Sequence, residues 1–304
     1  MSLKLGIFAA LAATTIWFVW TWWRISRKSM PNVPDERKHT WYHAPVAFVM
    51  CFFDTLGLGN FATTTAAFKF RNSIPDEKIP GTLNVGYALQ TIAQAFIYIA
   101  IIQVDIWTLV LMIVAAVVGA WLGAGIVCHW PRKKIRIGMG FALLGAATLL
   151  FLTLQGIAPG GGADLSLQGA RLGLGLAGNF ALGALMTLGI GLYAPCLILV
   201  SLLGMSPAAA FPIMMGSCAF LMPVGGIRFI KEGSYAPWTA VVMSIAGIPA
   251  VLIAAKIVRS LELTTLRWLV LVVVLYTAVL MLRSAFTEKA APPEAQAKGA
   301  AIAD

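Results

Sequence analysis

The sequence predicts an all-α polytopic membrane protein of two inverted structural repeats, preceded by one extra transmembrane helix. Three observations carry that prediction. The 304 residues are 60% hydrophobic and only 11% charged, whereas a soluble domain carries about 25% charged residues. The apolar residues fall into membrane-length runs. The second half of the chain repeats the first.

The first run covers Leu5 to Trp23 and ends in Trp20, Trp22 and Trp23, followed by Arg24, Arg27 and Lys28. Aromatics beside basic residues suit a membrane interface, so the run reads as a retained helix and not a cleaved leader. Residues 1–43 form this helix and a basic cytoplasmic linker. Four segments follow: a (44–67), b (81–102), c (105–128) and d (135–154), within a first repeat spanning 44–155. A Gly-rich extracytoplasmic loop at 156–171 leads to a second repeat at 172–284. Its segments are a′ (172–204), b′ (208–230), c′ (235–258) and d′ (264–283). The tail, 285–304, has a disordered composition.

The repeat shows at an offset of 132, where Thr55–Ala62 aligns with Thr187–Ala194, Pro75 with Pro207 and Pro80 with Pro212. At 131, Trp107 and Thr108 align with Trp238 and Thr239. Paired Gly, Pro and Trp at a near-constant offset indicate duplication, a common transporter signature.

Charge chooses the topology. If segments a and a′ each cross the bilayer, the basic residues split 11 to 11. If both are re-entrant hairpins, each repeat has three crossings, the repeats are inverted, and the split is 17 to 5. The positive-inside rule favours the second arrangement. It places the tail in the cytoplasm and the N-terminus outside. The net charge of +10 is thus a topology signal and not a sign of nucleic-acid binding.

Segments a and a′ are broken by Gly57-Leu58-Gly59 and Gly189-Ile190-Gly191. Each Gly costs a helix about 1 kcal/mol. Asn60, a residue type that caps helices, precedes Thr63 in the first copy, and Pro195 follows the second break. Each element reads as helix, break and new helix N-terminus. Irregular backbone at membrane depth survives only within protein or around a wet cavity. A helix N-terminus suits an anion, and two inverted hairpins would place two such ends at a central site.

Few polar residues lie in the spans. Asp54 stands three residues before the first break. It is either a proton-coupling carboxylate or a structural one bonded to the hairpin backbone. Thr63, Thr64 and Thr65 either bind an oxyanion or bond back to helix carbonyls. Gln90 and Gln94, four apart, share one helix face. Asn84 and Ser217 lie early in b and b′, where interhelical hydrogen bonding is the plainer role. With Gly57, Gly59, Asn60, Gly189, Gly191, Tyr193 and Pro195, these residues (Asp54, Asn84 and Thr65 apart) make up the candidate substrate site, and Asp54 is the proton-coupling candidate.

The GxGxxG-like stretches starting at Gly57, Gly173 and Gly189 lack the preceding strand that a dinucleotide site needs. The histidines His39, His43 and His129 lie in or beside loops and suggest no metal. Cys51, Cys128, Cys196 and Cys218 read as buried thiols. No hydrolase, zincin or Walker pattern occurs. No cofactor is implied.

With its two Gly breaks (Asp54–Thr65 and Thr187–Pro195), Pro207 after Gly204-Met205-Ser206, and the run Gly119–Ala124, the chain resembles the sulfite exporter TauE/SafE family, also called the toluene sulfonate uptake permease family. The resemblance covers about residues 44–284. It implies transport of small sulfur anions such as sulfite or sulfonates. Members often carry a longer glycine run at the break and begin at segment a, so this chain departs in both respects. The expected function is a secondary transporter, not an enzyme, moving a small anion by alternating access across a bacterial-type inner membrane. An anion channel using the same hairpins is the alternative, and a membrane-embedded enzyme a weaker one. The expected partners are the lipid bilayer and the small anion, with no nucleic acid. The oligomeric state stays open, a homodimer being one option.

Overall fold

The computed structural model describes residues 2–27, 38–127, 132–155, 162, 164–186, 191–260 and 263–287. Among these, regular structure is helical apart from an isolated bridge between Asp164 and Met205. The helices are α1 (Ser2–Ser26), α2 (Thr40–Thr55), α3 (Phe61–Phe70), α4 (Ile79–Gly86), α5 (Ala88–Ile101) and α6 (Ile106–Val127). They continue with α7 (Arg132–Leu154), α8 (Gly169–Met186), α9 (Tyr193–Leu202), α10 (Pro207–Glu232), α11 (Pro237–Ser260) and α12 (Leu263–Thr287). Each apolar run of the sequence is therefore one helix or a broken pair.

Among the described residues, four stretches are long and apolar enough to cross a bilayer: Leu3–Ser26, Ile79–Ile101, Pro207–Glu232 and Pro237–Ile257. The chain is an integral, multi-pass membrane protein. Ile79–Ile101 is α4 followed directly by α5, with Tyr87 at the join. Most of the tail, 288–304, and the loop at 156–161 lie outside the described residues.

The chain divides into two compact units, residues 1–106 with 215–261 and residues 107–214 with 262–304. Each unit draws on both halves of the sequence. In the first, α11 (segment c′) packs along α2 (segment a): Trp238 Nε1 donates to Thr40 Oγ1 at 2.9 Å, and Thr239 Oγ1 meets His43 Nδ1 at 3.1 Å. In the second, α6 (segment c) packs on α8 (segment a′). Asn179 Nδ2 donates to Met112 O at 2.7 Å. A Cβ added to Gly119 or Gly183 would strike the backbone oxygen of Phe180 or Ala116, respectively. Small residues let these two backbones touch, which is how apolar helices gain packing where no water drives association. Thr108, the repeat partner of Thr239, accepts the Leu167 N–H at 3.1 Å just before α8. Thr239 thus ties α11 to the start of α2, and Thr108 ties α6 to the chain just before α8.

One end of the first unit gathers many helix termini. Trp22 Nε1 and Ser26 Oγ from α1 both reach the Tyr235 hydroxyl, and the Ala236 N–H donates to Thr82 Oγ1. Tyr42 OH donates to Ala67 O at 2.7 Å, which brings the start of α2 beside the end of α3. Arg24, Arg27, Lys69, Arg71, Arg228 and Lys231 cluster at this end. Arg24, Arg27 and Arg71 lie over the rings of Trp20, Trp23 and Trp41. Lys4 lies at the opposite end, donating to Ala100 O.

Candidate functional site

The site is built on the first break. Helix α2 ends in a Schellman motif: the Gly57 N–H donates to Asp54 O at 2.8 Å and the Leu58 N–H to Phe53 O at 3.2 Å. That closure needs a left-handed residue, and Gly57 supplies it with φ of 100°. Gly59 also has positive φ, 74°. The chain then restarts at Phe61 and runs back beside α2. With about 1.5 Å of rise per residue, α3 is about 15 Å long and α2 about 24 Å, both short of a bilayer core of about 30 Å.

The break buries polar groups. Asp54, Asn60 and Thr64 are all buried, as are Gln90, Gln94, Tyr87 and Tyr98. Helix α5 and the join before it present Tyr87, Gln90, Gln94 and Tyr98 at helical spacing of three and four, so the four form one stripe. Gln94 Nε2 donates to Asp54 Oδ2 and to Thr55 Oγ1, both at 2.9 Å. Tyr98 OH donates to Thr55 O at 2.9 Å. Thr55 Oγ1 in turn donates to Cys51 O at 2.8 Å. Two helical turns before Gln94 on the stripe, the Tyr87 hydroxyl pairs with Thr64 Oγ1 at 2.8 Å. Gln90 turns to α11 and donates to Met243 O at 2.6 Å. Its Oε1 is buried with no partner. Buried polar groups in apolar surroundings are costly unless satisfied, and these hydrogen bonds satisfy most of the cluster.

Asn60 stands before α3 as expected, but its side chain makes no capping bond. Its backbone is already near-helical, with φ of −100° and ψ of −15°, and not in the extended form from which an N-cap side chain reaches forward. The Asn60 backbone N–H instead meets the Asp54 carboxylate. Thr63 Oγ1 bonds back to Asn60 O at 3.1 Å. Asn84 also bonds within its own helix, to Pro80 O, and Ser217 is buried and partnered.

In the second unit, Tyr193 opens α9 and Pro195 lies in its first turn, where the missing N–H is harmless. Gly191 precedes it. Gly189 lies outside the described residues, as do Cys128 and His129. Cys51, Cys196 and Cys218 are buried and form no disulfide among the described residues. His43 is not a loop residue: it sits in the first turn of α2, buried against Phe68. No group of three or more metal-ligating side chains occurs among the described residues.

The sequence reading singled out Asp54, Gln90 and Gln94 but passed over Tyr87 and Tyr98. Their signal was available in the three-to-four spacing with the two glutamines.

Membrane-length helices around a broken hairpin with a buried polar interior define a helical permease-like membrane protein. Residues 1–150 match the family model Sulfite exporter TauE/SafE, so this stretch of the chain is similar to that family. No curated protein and no solved structure matches the chain.

Proposed function

We propose that the chain is a secondary transporter for a small sulfur oxyanion or organosulfonate, working by alternating access in a bacterial-type inner membrane. The observation that carries this is the break itself: two short helices fold back on each other and bury Asp54, Asn60 and Thr64 at their turn. The α2–α3 pair acts as a re-entrant hairpin opening on the basic end, which faces the cytoplasm by the positive-inside rule. Gly57, Gly59, Asn60, Thr63, Thr64, Gln90 and Gln94 form the substrate site of this hairpin. Gly189, Gly191, Tyr193, Pro195 and Ser217 carry the related role in the second half. Asp54 is the proton-coupling group. It is buried, ionisable and joined to the stripe on α5, so a change in its protonation would alter the hydrogen bonds that close α5 on the hairpin.

Purified protein in proteoliposomes tests this. Tracer sulfite should accumulate against unlabelled internal sulfite by counterflow and saturate. Unitary currents without counterflow would replace the transporter with a channel, and no flux of any sulfur anion would refute the proposal.

A further inference from the structure

Arg71 follows the last turn of α3 and lies over two aromatic rings at once. Its guanidinium carbon is 4.9 Å from the centre of the Trp41 ring and 5.2 Å from that of Tyr42, both in the first turn of α2. The platform is fixed, because the Tyr42 hydroxyl donates to Ala67 O on α3. A guanidinium resting on ring faces keeps its N–H edge free to donate in its own plane. The ion pairs among the described residues are Arg171 with Asp164 and Arg228 with Glu232, so no described carboxylate takes that edge. Its fork matches two oxygens of a phosphate.

The surroundings are apolar as well as basic. Trp41 is 65% exposed, and Phe70, next to Arg71 in the chain, is 87% exposed. A free inorganic anion gains nothing from exposed aromatic surface. An amphiphile with a phosphate head and a hydrocarbon tail uses both features. Lys69 and Arg71 close α3 together, and two positive charges favour a net-negative head over a zwitterionic one. Arg24 and Arg27 on α1 also lie over tryptophans, Trp20 and Trp23. There cation and ring stand four residues apart on one helix, as an interfacial helix readily provides. Of the three arginines, Arg71 alone joins two helices.

We propose that the open end of the α2–α3 pair binds an anionic phospholipid, its headgroup phosphate on Arg71 and its acyl chains along Trp41 and Phe70. The bound lipid bridges the start of α2 and the end of α3 and holds them together.

Full-length protein in detergent is titrated with phosphatidylglycerol, with phosphatidylcholine of the same chains, and with glycerol 3-phosphate. Binding is read as ligand-dependent thermal stabilisation. Phosphatidylglycerol should bind about tenfold or more tightly than phosphatidylcholine, and glycerol 3-phosphate should give no shift. Arg71→Gln should bring the two lipids within about threefold. Lys231→Gln, which removes the same charge from an exposed position at the same end, should leave the preference unchanged. Trp41→Leu serves should Arg71→Gln not fold, and should weaken phosphatidylglycerol by about threefold through loss of the stacked face. Equal binding of the two lipids by the native protein overturns the proposal. So does stabilisation by glycerol 3-phosphate that matches the lipid, which makes this a free-anion site. Equal losses in Arg71→Gln and Lys231→Gln overturn it too, because diffuse surface charge then accounts for the preference.

Discussion

Replacing Gln94 by Leu should unlock the first hairpin. The side chain joins α5 to α2 through two hydrogen bonds of 2.9 Å, one to the Asp54 carboxylate and one to Thr55 Oγ1. Leu has nearly the same volume, so no cavity is added and the loss is polar. A hydrogen bond to a charged group contributes about 1.5–3 kcal/mol and a neutral one about 1 kcal/mol. Asp54 keeps the Asn60 N–H, and Thr55 keeps its bond to Cys51 O, so a total near 3 kcal/mol is reasonable. At about 1.4 kcal/mol per tenfold, the opened population should rise about a hundredfold. Cys51 reports on it, because its thiol is fully buried one turn before Thr55. With Cys128, Cys196 and Cys218 replaced by Ala, maleimide labelling of Cys51 should accelerate by that factor when labelling is slower than reclosing. A rise below about threefold, equivalent to well under 1 kcal/mol, would refute Gln94 as the tie that closes the hairpin.

Three further outcomes follow from the same geometry. Gly59→Ala meets no atom within 4 Å, so its cost is conformational, about 1–2 kcal/mol from the left-handed backbone, and Gly59→Asn should recover part of it in thermal unfolding. Gly183→Val should cost far more, above about 2 kcal/mol, because the added carbon faces the Ala116 backbone oxygen and not a movable side chain; loss of folded protein on size exclusion checks it. Cysteines introduced as Arg71→Cys and Lys231→Cys should label from the cytoplasmic side, and Lys4→Cys from the other. Arg71→Cys labelling from the Lys4 side would overturn the re-entrant reading of α2–α3.

The sequence by itself determined the class and the breaks. A charge fraction of 11% cannot cover a water-facing surface, and the runs match helix lengths because helical rise and bilayer thickness are fixed. The Gly57–Gly59 break was readable because glycine is the residue that tolerates the left-handed turn of a Schellman closure. The shared face of Gln90 and Gln94 followed from helical periodicity alone. Other features arose only in three dimensions. Nothing in the local sequence of Asn60 says that its own N–H is taken by Asp54, since that depends on how sharply the chain turns at Gly57 and Gly59. Nor does the sequence say that Gln90 bonds Met243, 153 residues away. Segments a and c′ come together in one unit, and c and a′ in the other, because buried polar groups such as His43 on α2 and Asn179 on α8 need partners on another helix. Those partners come from the opposite half of the chain, and tertiary packing selected among apolar faces that look alike in one dimension.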